Sequence, residues 1–176
     1  KSSLEYEFFL FDETPHSVRE KNYENLTPFT LGMFGYSVIR NSVNSEFFHN
    51  ILDTCRDMNI ELDGLHTETG PGVLEASIMV DDSLAAADKA AIFKTFMKVI
   101  AQRWELMATF MAKWSPNYPG QSGHLHQSLW NLDGTSAFYD KSSDYQMSIT
   151  MQHYLAGQFT LLPIVLPMIA PTINSY

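Results

Sequence analysis

The stretch Leu4-Glu5-Tyr6-Glu7-Phe8-Phe9-Leu10-Phe11 alternates with the period of an extended strand. Leu4, Tyr6, Phe8 and Leu10 therefore share one face, while Glu5, Glu7, Phe9 and Phe11 share the other. A strand with an unbroken apolar face belongs on a core, and two carboxylates leave its opposite face together. Outward from it, residues 12–28 are polar, contain proline and lack a period, which predicts a long lid-like loop. Asn44 or Ser45 is placed to cap a helix reaching Met58, because Phe48, Ile51 or Leu52, Cys55 and Met58 recur at helical spacing.

Residues 60–68 and 73–80 read as two strands joined at Thr69-Gly70-Pro71-Gly72, a turn signature that predicts a hairpin. Ser83 opens a second helix through Met107, and residues 107–113 form a further short strand. Residues 123–130 alternate strictly, with His124, His126, Ser128 and Trp130 on one face. After a turn at Leu132-Asp133-Gly134, a last helix spans residues 145–169. Its apolar part, residues 155–170, reads as a buried helix kinked by Pro163 and Pro167 and is too short and polar for a membrane span. This order predicts an α+β fold, with helices packed on the outer face of a largely antiparallel sheet that carries the functional side chains.

The chain has 176 residues with 45% apolar and 18% charged residues, enough for one globular core and unlike a disordered chain. Eleven basic against twenty acidic residues give a net charge of -9, with no basic run longer than two residues. Nucleic acid and anionic membranes are thereby excluded as partners. A lone Cys55 makes no internal disulfide, which suits a reducing, cytoplasmic setting. Lys1 leads straight into the strand pattern without a Met or an apolar leader, the expectation for a piece of a larger chain.

Glu5 and Glu7 on one strand, Glu68 and Glu75 flanking the hairpin turn, and His124 on another strand supply four carboxylates and an imidazole. Converged on one sheet face they would repel one another, and two hard divalent cations such as Mg²⁺ or Mn²⁺ would relieve that repulsion. Each signal also has a plainer reading. A Glu-x-Glu pair is ordinarily a solvated sheet face, and His124 with His126 fits satisfied core histidines or a zinc pair, although zinc sites ordinarily take Cys or more His than this. Trp130 and His126 suit either a nucleotide base or the core. The glycine-rich turn lacks the Gly-x-x-x-x-Gly-Lys pattern and leads into a strand, which excludes a Walker-type phosphate loop.

Glu5-Tyr6-Glu7-Phe8-Phe9, then His66-Thr67-Glu68-Thr69-Gly70-Pro71-Gly72-Val73-Leu74-Glu75, then Ser122-Gly123-His124-Leu125-His126-Gln127-Ser128-Leu129-Trp130 occur in that order. The series resembles the catalytic domain of the glutamine synthetase family, and the likeness runs to Ala170-Pro171-Thr172-Ile173-Asn174-Ser175-Tyr176. The resemblance implies that ATP phosphorylates the γ-carboxylate of glutamate and that ammonia or a small amine then displaces phosphate. It assigns Glu7, Glu68 and Glu75 to a first Mg²⁺ or Mn²⁺ and Glu5 and His124 to a second. It places His66, His126, Ser128 and Trp130 at ATP, and Glu7, Gly120 and His124 at glutamate. Glu68 and Tyr36 fall beside the amine and count as catalytic.

Ammonia-using members carry Asn-Gly before the histidine strand, whereas Pro119 precedes Gly120 here. The form of the 66–75 motif is closer to the γ-glutamylamide synthetases, which use alkylamines or polyamines. The chain's arginines, Arg19, Arg40, Arg56 and Arg103, all lie outside the three motifs, although a triphosphate requires cations. The resemblance implies that the family's arginines and the third ligand of its second metal follow the Asn-Ser-Tyr motif, and that its small N-terminal β-domain would precede Lys1. The expectation is that residues 1–176 are a partial catalytic domain, inactive alone, from a homo-oligomeric ATP-dependent ligase. A catalytically silent structural homologue and a two-metal hydrolase are the competing readings.

Overall fold

In a computed structural model, which describes residues 1–175, the opening strand is the hub of the fold. Strand β1 (Ser2–Phe11) pairs with β3 (Val73–Ile78) along one edge, and β3 pairs with β2 (Leu62–Thr67). Along its other edge β1 is shared by two short strands. Strand β5 (Gly123–Gln127) pairs with residues 2–6 and β4 (Met107–Thr109) with residues 9–11. Every pairing is antiparallel, as the element order predicts.

The alternation of β1 sorts its side chains as the sequence implies. Phe8 and Leu10 are fully buried, with Leu4 and Tyr6 packed beside them, against Leu74, Ala76 and Ile78 of β3. Over this face lie α3 (Ser45–Asp57), through Phe47, Phe48, Ile51 and Cys55, and α4 (Ser83–Arg103), through Ala90, Phe93, Met97 and Ile100. Burying side chains of this size contributes about 1.5–3 kcal/mol each. The opposite face of β1 is divided. Phe9 and Phe11 pack with Val73 and Trp114 at one end, leaving Glu5 and Glu7 at the other.

Residues 12–28 are more ordered than their composition predicts. They contain the short helix α1 (Pro15–Glu20), closed by a capping box between Thr14 and Ser17. Buried Glu13 anchors the segment, accepting from Ser17 Oγ at 2.6 Å, from the Thr27 N–H at 2.8 Å and from the Lys21 ammonium. Burial alone would raise its pKa, but these donors outweigh burial and hold it at about 2. Because the folded pKa lies below the unfolded one, this stabilisation is complete above the unfolded value and fades as pH falls toward about 2. Replacing Glu13 by Ala should cost about 1–3 kcal/mol at neutral pH. Urea melts of the variant should also lose part of the wild-type decline between pH 5 and 3.

A six-residue helix, α2 (Val38–Val43), is also absent from the sequence reading, since its length is below what periodicity reports. The predicted burial of residues 155–170 is corrected by the structure. Helix α5 (Ile149–Ile169) runs through Pro163 and Pro167, yet no residue of it is buried. Phe159, Ile164 and Met168 are largely exposed, and its links to the body include Phe138 against Tyr154 and the Gln158–Gln127 hydrogen bond. An all-round apolar helix has no polar side to predict an orientation, and among the described residues no layer covers it. No described helix is long and apolar enough to cross a membrane. Tyr176, the last residue of the Asn-Ser-Tyr motif, lies outside the described residues.

Candidate active site

Strand register gathers the predicted side chains into two adjacent rows on the face of the sheet opposite α3 and α4. In one row His66, Glu75 and Glu7 stand opposite one another across β2, β3 and β1, because His66 pairs with Glu75 and Glu75 with Glu7. In the next row Ser77, Glu5 and His124 align across β3, β1 and β5. Facing carboxylates at directly paired positions are destabilising unless a cation lies between them.

Glu68 follows β2, its N–H bonded to the Val73 carbonyl at 2.9 Å, so the hairpin turn carries it to the end of the first row. Gly72 makes that turn possible. Its φ is +72°, its carbonyl accepts from Leu10 N–H at 2.7 Å, and a Cβ there would stand 2.3 Å from the Leu10 carbonyl oxygen. A strap before α2 crosses above. Tyr36 donates its N–H to Thr67 O at 2.7 Å, stacks on His66 at 4.8 Å between ring centres, and turns its hydroxyl to Glu68.

Two donor clusters result. His66, Glu68 and Glu75 form one and Glu5, His124 and His126 the other, the donor atoms of each lying within 4.8 Å of one another. Glu7 is differently engaged. Its Oε2 accepts from the Ser122 N–H at 2.6 Å, although it faces Glu75 directly across the strands. Ser128 and Trp130, expected at the nucleotide, lie beyond β5, joined by a Trp130 Nε1 bond to Ser128 Oγ at 2.9 Å. Gly120 lies on the approach to β5, where a Cβ would meet the Ala112 carbonyl oxygen at 2.7 Å, leaving only glycine room there.

The electrostatics fit a cation site. Burial, followed by the proximity of Glu5, Glu7 and Glu68, raises the Glu75 pKa against the lowering pull of His66. Hydrogen bonds from His126 and His124 lower that of Glu5, and His124 is raised in return by its bond to Glu5. Glu68 is pushed up by burial but held below the ordinary range by Tyr36 and the Thr69 N–H, and the Tyr36 hydroxyl is pushed up to about 12 by Glu68. Carboxylates strained by one another and lined by imidazoles are the donor set of divalent metals, so the residues present suit such ions.

The structure brings the four glutamates and His124 named from the sequence onto one sheet face, and adds Ser122 as a partner of Glu7 that the sequence reading did not name. His66 and His126, expected at the nucleotide, each stand beside a carboxylate cluster. The signal was available for His126 in the strict alternation that sets it on the face of His124.

Comparison with known proteins gives a consistent picture. The family model for the catalytic domain of glutamine synthetase matches residues 1–176. Type-1 glutamine synthetase 2 of Dictyostelium discoideum is 45% identical over 174 residues, covering 98% of this chain and 33% of that protein. A glutamate–isopropylamine ligase of Pseudomonas sp is 34% identical over 175 residues, covering 99% of this chain and 38% of that protein. Among solved structures, GmaS without ligand matches with a TM-score of 0.85 at 25% identity, covering 99% of this chain and 40% of that one. The chain thus spans between 33% and 40% of the length of these relatives.

Proposed function

The chain belongs to the glutamine synthetase family through its catalytic domain, and from that membership we propose that the whole protein is an ATP-dependent ligase joining glutamate to ammonia or a small amine. The supporting observation is the convergence of Glu5, Glu7, Glu68, Glu75, His66, His124 and His126 on one sheet face. Glu7, Glu68 and Glu75 would hold one divalent cation, with His66 beside them, and Glu5 and His124 a second. When bound, Mg²⁺ or Mn²⁺ supplies charge neutralisation for phosphoryl oxygens and a template for orienting the acceptor.

In this reading the γ-phosphoryl of ATP passes to a γ-carboxylate oxygen of glutamate and ADP departs. The amine nitrogen then forms a bond to the acyl carbon, phosphate leaves, and the nitrogen loses a proton. In this reading Glu68 accepts that proton, its carboxylate held in place by the Tyr36 hydroxyl and the Thr69 N–H. Tyr36 stays protonated and holds the Glu68 carboxylate by its hydroxyl. Ser122 fixes Glu7, and Gly120, packed too closely on the Ala112 carbonyl for any side chain, lies on the glutamate side in this reading. His126, Ser128 and Trp130 flank the nucleotide side, where an indole offers a stacking surface.

Cations for the triphosphate come from outside residues 1–176 in this reading. Arg19 donates to Pro15 O, Arg40 lies over Phe34 and Arg56 pairs with Asp53. In this reading these residues are the metal-binding part of a catalytic domain whose relatives are longer chains, and the whole protein is a homo-oligomer. The form of the 66–75 motif and the similarity to an isopropylamine ligase lean toward an alkylamine, whereas the higher identity to a glutamine synthetase leans toward ammonia.

Phosphate release by the full-length protein with ATP, Mg²⁺ or Mn²⁺ and glutamate should be stimulated by one of ammonia, methylamine, ethanolamine or a polyamine. The 176-residue chain alone should release none. Release without any amine would instead indicate a hydrolase, and no stimulation under any condition a catalytically silent homologue.

A further inference from the structure

Strand β2 ends on two neighbouring residues that occupy opposite faces of the sheet. His66 stands on the carboxylate face, opposite Glu75, whereas Thr67 pairs with fully buried Leu74 and is itself 1% exposed. A buried strand position beside leucine asks only for a β-branched shape, which valine would supply without a polar atom. A hydroxyl buried there has to be bonded, and its partner among the described residues is the Ser37 N–H, at 3.1 Å. The Thr67 carbonyl accepts the preceding N–H of the strap, that of Tyr36, at 2.7 Å. Two successive N–H groups are thus held by one residue, one through its backbone and one through its side chain.

Tyr36 depends on such a hold. Its φ is +53°, a left-handed backbone that a bulky side chain adopts reluctantly. It is also 67% exposed, so its stack on His66 is not enforced by a surrounding core. Gly35 lets the strap lie close, since a Cβ there would stand 3.0 Å from Thr69 N and 3.1 Å from the Glu68 carbonyl carbon. We propose that Thr67 is a positioning residue for the amine step, its buried hydroxyl fixing, through Ser37, the strap that carries Tyr36 over His66 to Glu68. The proposal rests on the ligase reading above, in which Tyr36 and Glu68 flank the amine, and adds a residue that acts without touching substrate. Without the hydroxyl the Ser37 N–H loses its acceptor, and one bond is left to hold the strap against its own backbone preference. What suffers is amine binding rather than phosphoryl transfer to glutamate.

The test is phosphate release by the full-length protein, with KM measured separately for ATP, for glutamate and for whichever of ammonia or an amine stimulates it. Thr67→Val should raise the amine KM about 10-fold, the worth of one hydrogen bond, and leave those of ATP and glutamate unchanged. Thr67→Ser, which keeps the hydroxyl and gives up the methyl, should restore the wild-type amine KM. In a Tyr36→Ala background Thr67→Val should raise it no further, because both act through one side chain. Gly35→Ala disturbs the same clasp from the strap and should shift the amine KM in the same direction. An unchanged amine KM in Thr67→Val, or in Gly35→Ala should Thr67→Val not fold, overturns the proposal and leaves the ligase reading intact. So does an equal rise for all three substrates, or an effect that adds to that of Tyr36→Ala. Absence of stimulation by ammonia or any amine in the wild-type protein overturns both.

Discussion

Glu75→Gln in the full-length protein should lower amine-stimulated phosphate release by about 10³-fold, the order of the several kcal/mol that a bound cation supplies to a charged transition state. The same substitution should raise the unfolding midpoint when divalent ions are chelated. Both effects follow from one arrangement. Glu75 sits directly opposite Glu7 and His66, mostly buried, where burial and three neighbouring carboxylates push its pKa up. The folded state thus takes up a proton before the unfolded state does, and the ionised carboxylate destabilises the fold at neutral pH. That penalty is fully present above the folded pKa and fades as pH falls to the unfolded value. The stabilising effect of glutamine should accordingly be largest near neutral pH and absent in acid. A variant that lost activity without gaining stability in chelator would show that repulsion is not what the cations relieve.

Gly72→Ala is expected to cost roughly 3–5 kcal/mol, combining overpacking with left-handed backbone strain. The added Cβ would meet the Leu10 carbonyl oxygen at 2.3 Å, and that oxygen already accepts from Phe29 N–H. Relief requires the hairpin turn to part from β1, which would also carry Glu68 and Glu75 away from Glu5 and Glu7. Against a total of about 5–15 kcal/mol for a domain, such a loss is close to unfolding. Gly134→Ala is the matched control, since Gly134 also has a positive φ, +82°, but a Cβ there would meet nothing within 4 Å. Urea midpoints of the two variants should separate clearly. Equal midpoints would remove the steric account and leave backbone strain alone.

The sequence is most informative where one periodicity governs one element. The alternation of residues 4–11 predicts both faces of β1, and the helical spacing of Phe48 and Cys55 predicts the buried side of α3, where the structure selects Ile51 over Leu52. Gly70-Pro71-Gly72 predicts the hairpin, and its ordered motif companions lead to the family. The limits are equally physical. Helices α1 and α2 have six residues each, too few for a period to declare itself. Helix α5 carries apolar residues on all sides, so its hydrophobicity predicts burial without saying against what, and within these residues it is bare. At the site, residue types were legible but pairings were not. That Glu7 meets the Ser122 N–H and Glu5 meets His126 depends on how β5 aligns with β1, and alignment between distant segments leaves no local trace.

Strand β5 illustrates what that alignment costs to maintain. All five of its residues are exposed, so no buried side chain tells it which way up to lie on β1. Slipping it by one position would exchange His124 and His126 for Leu125 and Gln127, erasing half of the cluster without unfolding anything. What resists the slip is polar: the Glu7 and Ser128 N–H bonds to Ser122 O and Lys1 O at its two ends, and the grip of Glu5 on both imidazoles between them. The functional groups are therefore also the ruler that measures the strand into place. A protein built this way couples assembly to the site, because the bonds that favour this alignment of β5 are in part those that gather the Glu5 cluster.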